Sequence, residues 1–359
     1  MAAALLGATG ASAEGGGAEP TPKPAHHPAK PKPKPAAAPA AAPAAPQAPP
    51  QPPQSPPPLP PPVAAVTVFP PTARVVSIPA PLSDWRALDA ENTLVLQTDK
   101  GVVVIELRPE FAPLAVARIK RLARAGIYDN LQFHRVIDGF MAQTGNPNNL
   151  DGAKSLEPDL PAEFSFRLGA ETPRAPIARP QGESEGFIGA QPYASVDEIR
   201  MATSPDRRVS AWGAFCPGVV AMGHDADPDS GNSEFFIMRA ATRSLDRGYS
   251  VVGRVVVGLD VVRALTAGDP PIEPSKLLKV RVMADLPESQ RPQVAVLNTL
   301  SPEFRAIADQ VRAIRGADFS ICDVEAPVRV TALAAPPQSA AQKPRRRPRV
   351  AARTAEPST

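Results

Sequence analysis

A chain of 359 residues with 48 prolines, many of them before residue 82, is too proline-rich to fold throughout. About 200 residues remain for a central domain, enough for one sizeable core. The formal net charge is only +3, with basic clusters at the two ends that have few acidic residues near them, and no stretch approaches the ~20 apolar residues of a membrane-spanning helix, so no integral membrane domain of that kind is expected.

Residues 1–19 begin MAAALLGATGASA, and Ala11-Ser12-Ala13 is a small-residue pattern that signal peptidase accepts. The apolar run is short and no Lys or Arg precedes it, so this is a remnant signal segment. It predicts a periplasmic or otherwise exported protein, with a cytoplasmic one as the alternative. Residues 20–81 are rich in Pro, Ala and Lys, and from Pro20 to Pro62 almost entirely Pro, Ala, Lys and Gln, which predicts a disordered, extended linker.

Residues 82–286 read as the folded domain. Asn92 to Thr98 and Val102 to Leu107, joined by Asp99-Lys100-Gly101, predict a hairpin. Ala112 to Ala125 predicts a helix, with Pro113 near its start and Gly126 past its end, and Arg118, Lys120, Arg121 and Arg124 on the wet side. From Tyr128 to Gly145 an arginine sits among large apolar residues at strand spacing: Phe133, Arg135 and Ile137 alternate with His134 and Val136. Beyond the Gly139 break come Phe140, Met141 and Gln143. An arginine beside these residues describes a small apolar pocket with a planar donor on its rim.

Residues 146–215, rich in Pro, Gly, Glu and Arg, form a long insert expected to be surface loops with a short helix near Val196 to Ala202. Strands are predicted at Gly218 to Met222, Glu234 to Arg239, Ser250 to Val257 and Leu277 to Ala284, with a short helix at Leu259 to Leu265. Many strands in local succession with few helices suggest a mainly β, closed antiparallel barrel. Residues 287–330 form an appendage: a helix from Ser301-Pro302 to Arg315, with Phe304, Ile307, Val311 and Ile314 on one face, then a strand at Phe319 to Val324. Residues 331–359 are a basic disordered tail.

The signature from Tyr128 to Gly145, together with the stretch from Gly218 to Leu265, resembles the cyclophilins, a family of peptidyl-prolyl cis-trans isomerases. The resemblance covers roughly residues 91 to 285. It implies an eight-stranded antiparallel β-barrel capped by two α-helices. It implies catalysis without cofactor or metal, by Arg135 donating to the prolyl nitrogen as the amide twists. Phe140, Met141, Phe236 and Leu245 correspond to the family's proline pocket, and Gln143 to the amide that orients the arginine. Strand alternation allows only one of Phe235 and Phe236 to face that pocket. The chain departs from the family at Glu234 (usually glutamine), Ser244 (often tryptophan), Tyr249 (commonly histidine) and Val252 (commonly phenylalanine). Glu234 and Tyr249 are still taken as substrate-binding positions, and Glu234 is expected to pair with Arg135. His134 is read as a structural histidine.

Asp225, Asp227 and Asp229 alternate like a calcium loop, but Ser230 and Phe236 stand where that loop needs Gly and Glu, so no metal is expected. Cys216 and Cys322 read as buried free thiols, with pairing open in an oxidising compartment. The expected partners are proline-containing unfolded or newly exported polypeptides. The basic tails favour an anionic envelope surface, and no stacking platform points to specific nucleic-acid binding. A catalytically weak barrel that only holds proline peptides is the alternative function.

Overall fold

The computed structural model describes residues 80–148, 155 and 157–333. The predicted signal segment, nearly all of the proline-rich linker and nearly all of the basic tail lie outside the described residues.

The hairpin predicted at the start of the domain forms from Thr93–Thr98 and Gly101–Leu107, paired in register from Thr93↔Glu106 to Thr98↔Gly101. It lies inside a nine-stranded sheet whose order is Leu131–Gln132, Lys276–Val282, Thr93–Thr98, Gly101–Leu107, Val251–Val257, Val219–Met222, Phe235–Met238, Met141–Thr144 and Arg135–Ile137. Every junction is antiparallel. The sheet curls without closing, because no ladder joins its first strand to its last among the described residues. The expected closed eight-stranded barrel is therefore corrected to an open, curled sheet of nine.

Helix α1, Pro113–Arg124, lays Ala115, Val116, Ile119 and Leu122 onto this sheet, where they join Leu96, Ile105, Phe133 and Val280 in the main core. Its first turn has no local side-chain cap. Glu163, from a distant loop, accepts from Leu114 N and Ala115 N at 3.0 and 2.9 Å and places a carboxylate at the positive end of the helix. Arg118 does not face water as expected. It is buried, donating to the carbonyls of Asn232 and Pro158, and burial pushes its pKa below the ordinary arginine range. Helix α2, Leu259–Arg263, adds Val262 to the same core.

The insert is not a set of loops. Five strands, Phe166–Gly169, Ala175–Ala178, Glu183–Ile188, Gln191–Val196 and Arg208–Gly213, form their own antiparallel sheet, and the short helix is a 3-10 turn at Glu198–Ala202. Tyr193, Leu168, Ile188 and Val209 give it a separate core with Phe111.

In the appendage, helix α3 spans Pro302–Arg315, with the Ser301 hydroxyl accepting from Phe304 N at 3.2 Å as its cap. Phe304, Ile307 and Val311 are buried as expected, while Ile314 is exposed. Phe319 to Val324 is not a strand: it holds a 3-10 turn at Ile321–Asp323. The strands are Gln293–Leu297 and Val328–Ala332, which pair with each other, and Gln293–Leu297 also pairs with Trp85–Ala87. Cys216 and Cys322 are not free thiols; they form a disulfide across 106 residues. The core contributed by α3 is continuous with Val219, Phe236 and Met238 of the main sheet, so the appendage backs that sheet directly. No helix among the described residues is long and apolar enough to cross a membrane.

Candidate active site

Register builds the site. Arg135 faces Gln143 across one junction, and Gln143 faces Phe236 across the next. A row of cross-strand neighbours shares one face of a sheet, so the guanidinium, the amide and the phenyl ring converge although the chain separates them by up to 101 residues. Met141, two residues before Gln143, falls on the same face. The alternate residue Phe235 points into the core, where its ring meets Tyr128 edge-on at 5.4 Å. Phe236 is thus the pocket residue of the pair.

Two glycines permit this arrangement. Gly139 takes a positive φ of 67° in the turn that delivers Phe140, and the Phe140 carbonyl is pinned by Arg239 N at 2.8 Å. At Gly145, φ is 98° and a Cβ would stand 2.5 Å from the Ser233 carbonyl, so only glycine lets the Met141–Thr144 strand run this close to its neighbour.

The pocket encloses about 130 Å³ and is lined by Arg135, Phe140, Met141, Gln143, Gly223, His224, Phe236, Leu245 and Tyr249. Drug-sized ligands occupy cavities of roughly 300–1,000 Å³, so this one takes a single small ring. Its back wall is a chain of aromatic contacts. Phe236 meets Tyr249 edge-on at 5.0 Å and stacks on Phe215 at 6.1 Å, while Tyr249 touches the His224 ring at 4.5 Å, which in turn meets Phe164 at 5.3 Å. Leu245 comes from the 3-10 turn Arg243–Leu245, held by Arg243 on Asp246 at 2.8 Å and on Glu185 at 2.6 Å.

The polar groups pair differently from the expectation. Arg135 Nε donates to Asp269 Oδ2 at 3.0 Å, and this pair is open to solvent. Gln143 Nε2 donates to Glu234 Oε2 at 2.6 Å, with His134 Nε2 3.4 Å from the same oxygen. Glu234 therefore holds Gln143 rather than Arg135, and it stands behind the pocket, not in its lining. Val252 belongs to the main core, so its departure from the family leaves the pocket untouched. Ser244 is exposed beside Leu245.

Of the predicted site residues, Arg135, Phe140, Met141, Gln143, Phe236, Leu245 and Tyr249 all meet in this cavity. Sequence reasoning missed His224, Gly223 and Asp269. His224 follows Met222 by two residues at the end of a strand, and its ring nitrogens lie 2.6 Å from the Asp225 carbonyl and 2.8 Å from that of Gly248. Alternation counted on from Met222, which pairs with Phe235 in the core, points to the core side, so neither the place of His224 in the pocket nor the partnership of Asp269 with a residue 134 positions away was legible.

Comparison with known proteins identifies the family. The chain is 34% identical over 215 residues to a protein of Brucella suis named "Probable peptidyl-prolyl cis-trans isomerase", covering 55% of this chain and 86% of that one. It is 30% identical over 189 residues to peptidyl-prolyl cis-trans isomerase-like 1 of Mus musculus, covering 51% and 88%. Among solved structures, the cyclophilin AquaCyp293 from Hirschia baltica matches with a TM-score of 0.64 and 37% identity, over 68% of this chain and 93% of that one. The family model described as "Cyclophilin type peptidyl-prolyl cis-trans isomerase/CLD" matches residues 93–282, and the chain belongs to that family.

Proposed function

We propose that this pocket isomerises X-Pro bonds in unfolded or newly exported polypeptides, with Arg135 as the group that acts on the amide. Rotation about a peptide bond faces ~18–20 kcal/mol, and an uncatalysed X-Pro bond exchanges in tens of seconds or longer. The reaction needs no nucleophile and no proton transfer. As the amide twists, its nitrogen loses conjugation and its lone pair becomes an acceptor. A guanidinium N–H aimed at that lone pair binds the twisted amide more tightly than the planar one, which is what lowers the barrier.

The observation that carries this reading is the row Arg135, Gln143, Phe236, which sets a guanidinium on the lip of an apolar hollow sized for one ring. The bond to Asp269 occupies Nε and leaves the two terminal nitrogens for substrate. Phe236, Met141, Leu245 and Tyr249 hold the prolyl ring, and Gln143, fixed by Glu234, addresses the peptide backbone. Export is supported by the Cys216–Cys322 disulfide, since such bonds persist in oxidising compartments. The arginine-rich tail suits an anionic envelope surface.

Isomerisation of an Ala-Pro tetrapeptide by the full chain tests the proposal: exchange is accelerated by the protein and returns towards the uncatalysed rate with Arg135→Ala. The second reading, a proline-peptide holder, is favoured by the solvent-exposed tether on Arg135. It predicts saturable peptide binding with no acceleration in the unaltered chain.

A further inference from the structure

A second concavity lies between the edge strand Ala175–Ala178 of the insert sheet and helix α3, in parts of the chain outside the nine-stranded sheet. It encloses about 620 Å³, room for several side chains. Pro176, Ile177 and Phe319 give it an apolar floor, and Arg179, Arg305 and Arg312 bring three guanidiniums to its lining.

That charge is poorly neutralised. The carboxylate in the lining, Glu185, is already committed to Arg243 at 2.6 Å. Asp309 stands 3.8 Å from Arg312, and neither Arg179 nor Arg305 has a carboxylate partner among the described residues. Three cations around an apolar strip match a ligand with carboxylates spaced by apolar side chains.

We propose that this groove is a docking site for an acidic, extended polypeptide segment. Strand addition is not the mode of binding, because Pro176 has no N–H to offer and its carbonyl accepts from Arg305 at 3.1 Å. Recognition runs through side chains. A nucleic acid fits less well: the Arg312 guanidinium lies over one face of the Phe319 ring at 5.2 Å, where a stacking base would have to displace it. The groove also touches the proline pocket through one ion pair, since Glu185 holds Arg243 and Arg243 opens the turn that carries Leu245. Polypeptide as the visitor at that junction rests on the isomerase reading; the charge argument does not.

The test is fluorescence anisotropy with a labelled, proline-free peptide of alternating Glu and Leu, and with its Lys-Leu counterpart. The protein is the full chain with Lys343, Arg345, Arg346, Arg347, Arg349 and Arg353 changed to Gln, so that the tail does not compete for the probe. The acidic peptide is expected to bind, the basic one not. Arg305→Glu/Arg312→Glu should weaken binding at least tenfold and Arg179→Glu alone at least threefold, with thermal unfolding within a few degrees of the parent for Arg179→Glu. Reversal at two exposed cations elsewhere, Arg200→Glu/Lys279→Glu, should change affinity less than twofold. Equal binding of both peptides, groove reversals that leave affinity within twofold, or a control pair as damaging as the groove pair would each overturn the proposal. So would tighter binding of a single-stranded oligonucleotide through the same arginines. Because the probe lacks proline, failure here leaves the isomerase reading standing, and loss of isomerase activity leaves this one standing.

Discussion

The aromatic wall of the proline pocket and its guanidinium rim are held in place by different forces. Phe236 is 5% exposed and locked between Phe215 and Tyr249, in a cluster that runs on into helix α3. Arg135 is about a third exposed and tied by a single ion pair to Asp269, itself half exposed. Burial makes the wall rigid and expensive to alter. The rim is cheap to alter for stability, and on the proposed mechanism what it carries is rate. Binding and turnover should therefore come apart under mutation.

The largest effect falls on the wall. Phe236→Ala removes a buried ring and should cost about 3–5 kcal/mol of stability in urea unfolding, with proline-peptide binding weakened as well. Next is the support behind it. Cys322→Ser opens the disulfide beside Phe215 and should cost about 2–4 kcal/mol; it should also raise the Michaelis constant, because Phe215 stacks on Phe236. On the rim, Asp269→Asn keeps the shape but not the charge. Losing one exposed ionic hydrogen bond should cut turnover by about fivefold, roughly 1 kcal/mol, with unfolding unchanged. An unchanged turnover would mean that Arg135 needs no tether.

The smallest effect calibrates exposed pairs away from the site. Hydrogen bonds from Arg124 and then Lys120 hold the Glu91 carboxyl at about 2, below its ordinary 4.5. A depressed acid contributes stability that is present above about 4.5 and is lost as pH falls through about 2. Glu91→Gln should flatten that part of the acid unfolding curve by less than about 1 kcal/mol, because the pair is largely solvated.

The pocket was legible in the sequence because its parts obey local rules. Alternation let only one of Phe235 and Phe236 reach the cavity, the family resemblance picked Phe236, and the glycine break set Phe140, Met141 and Gln143 apart from the Arg135 strand. The insert was illegible because its strands break those rules one by one. Ala175–Ala178 and Gln191–Val196 each contain a proline, and Glu183–Ile188 carries two glutamates. Glu185 is tolerated only because Arg243, 58 positions on, meets it. Arg118 misled for the same reason: its acceptors on Asn232 and Pro158 come from remote loops. The disulfide likewise depends on the appendage folding back across 106 residues, which spacing does not reveal. Glu234 looked like a partner for Arg135 by charge alone, whereas the sheet gives it Gln143.

The central claim is that Arg135 stabilises the twisted amide rather than the bound peptide. Exchange NMR of an Ala-Pro tetrapeptide at saturating concentration separates the two directly. The account predicts that Arg135→Ala binds the peptide within about threefold of the parent while cis-trans exchange in the complex slows by about 10²–10³-fold. Exchange undiminished in that variant would contradict it.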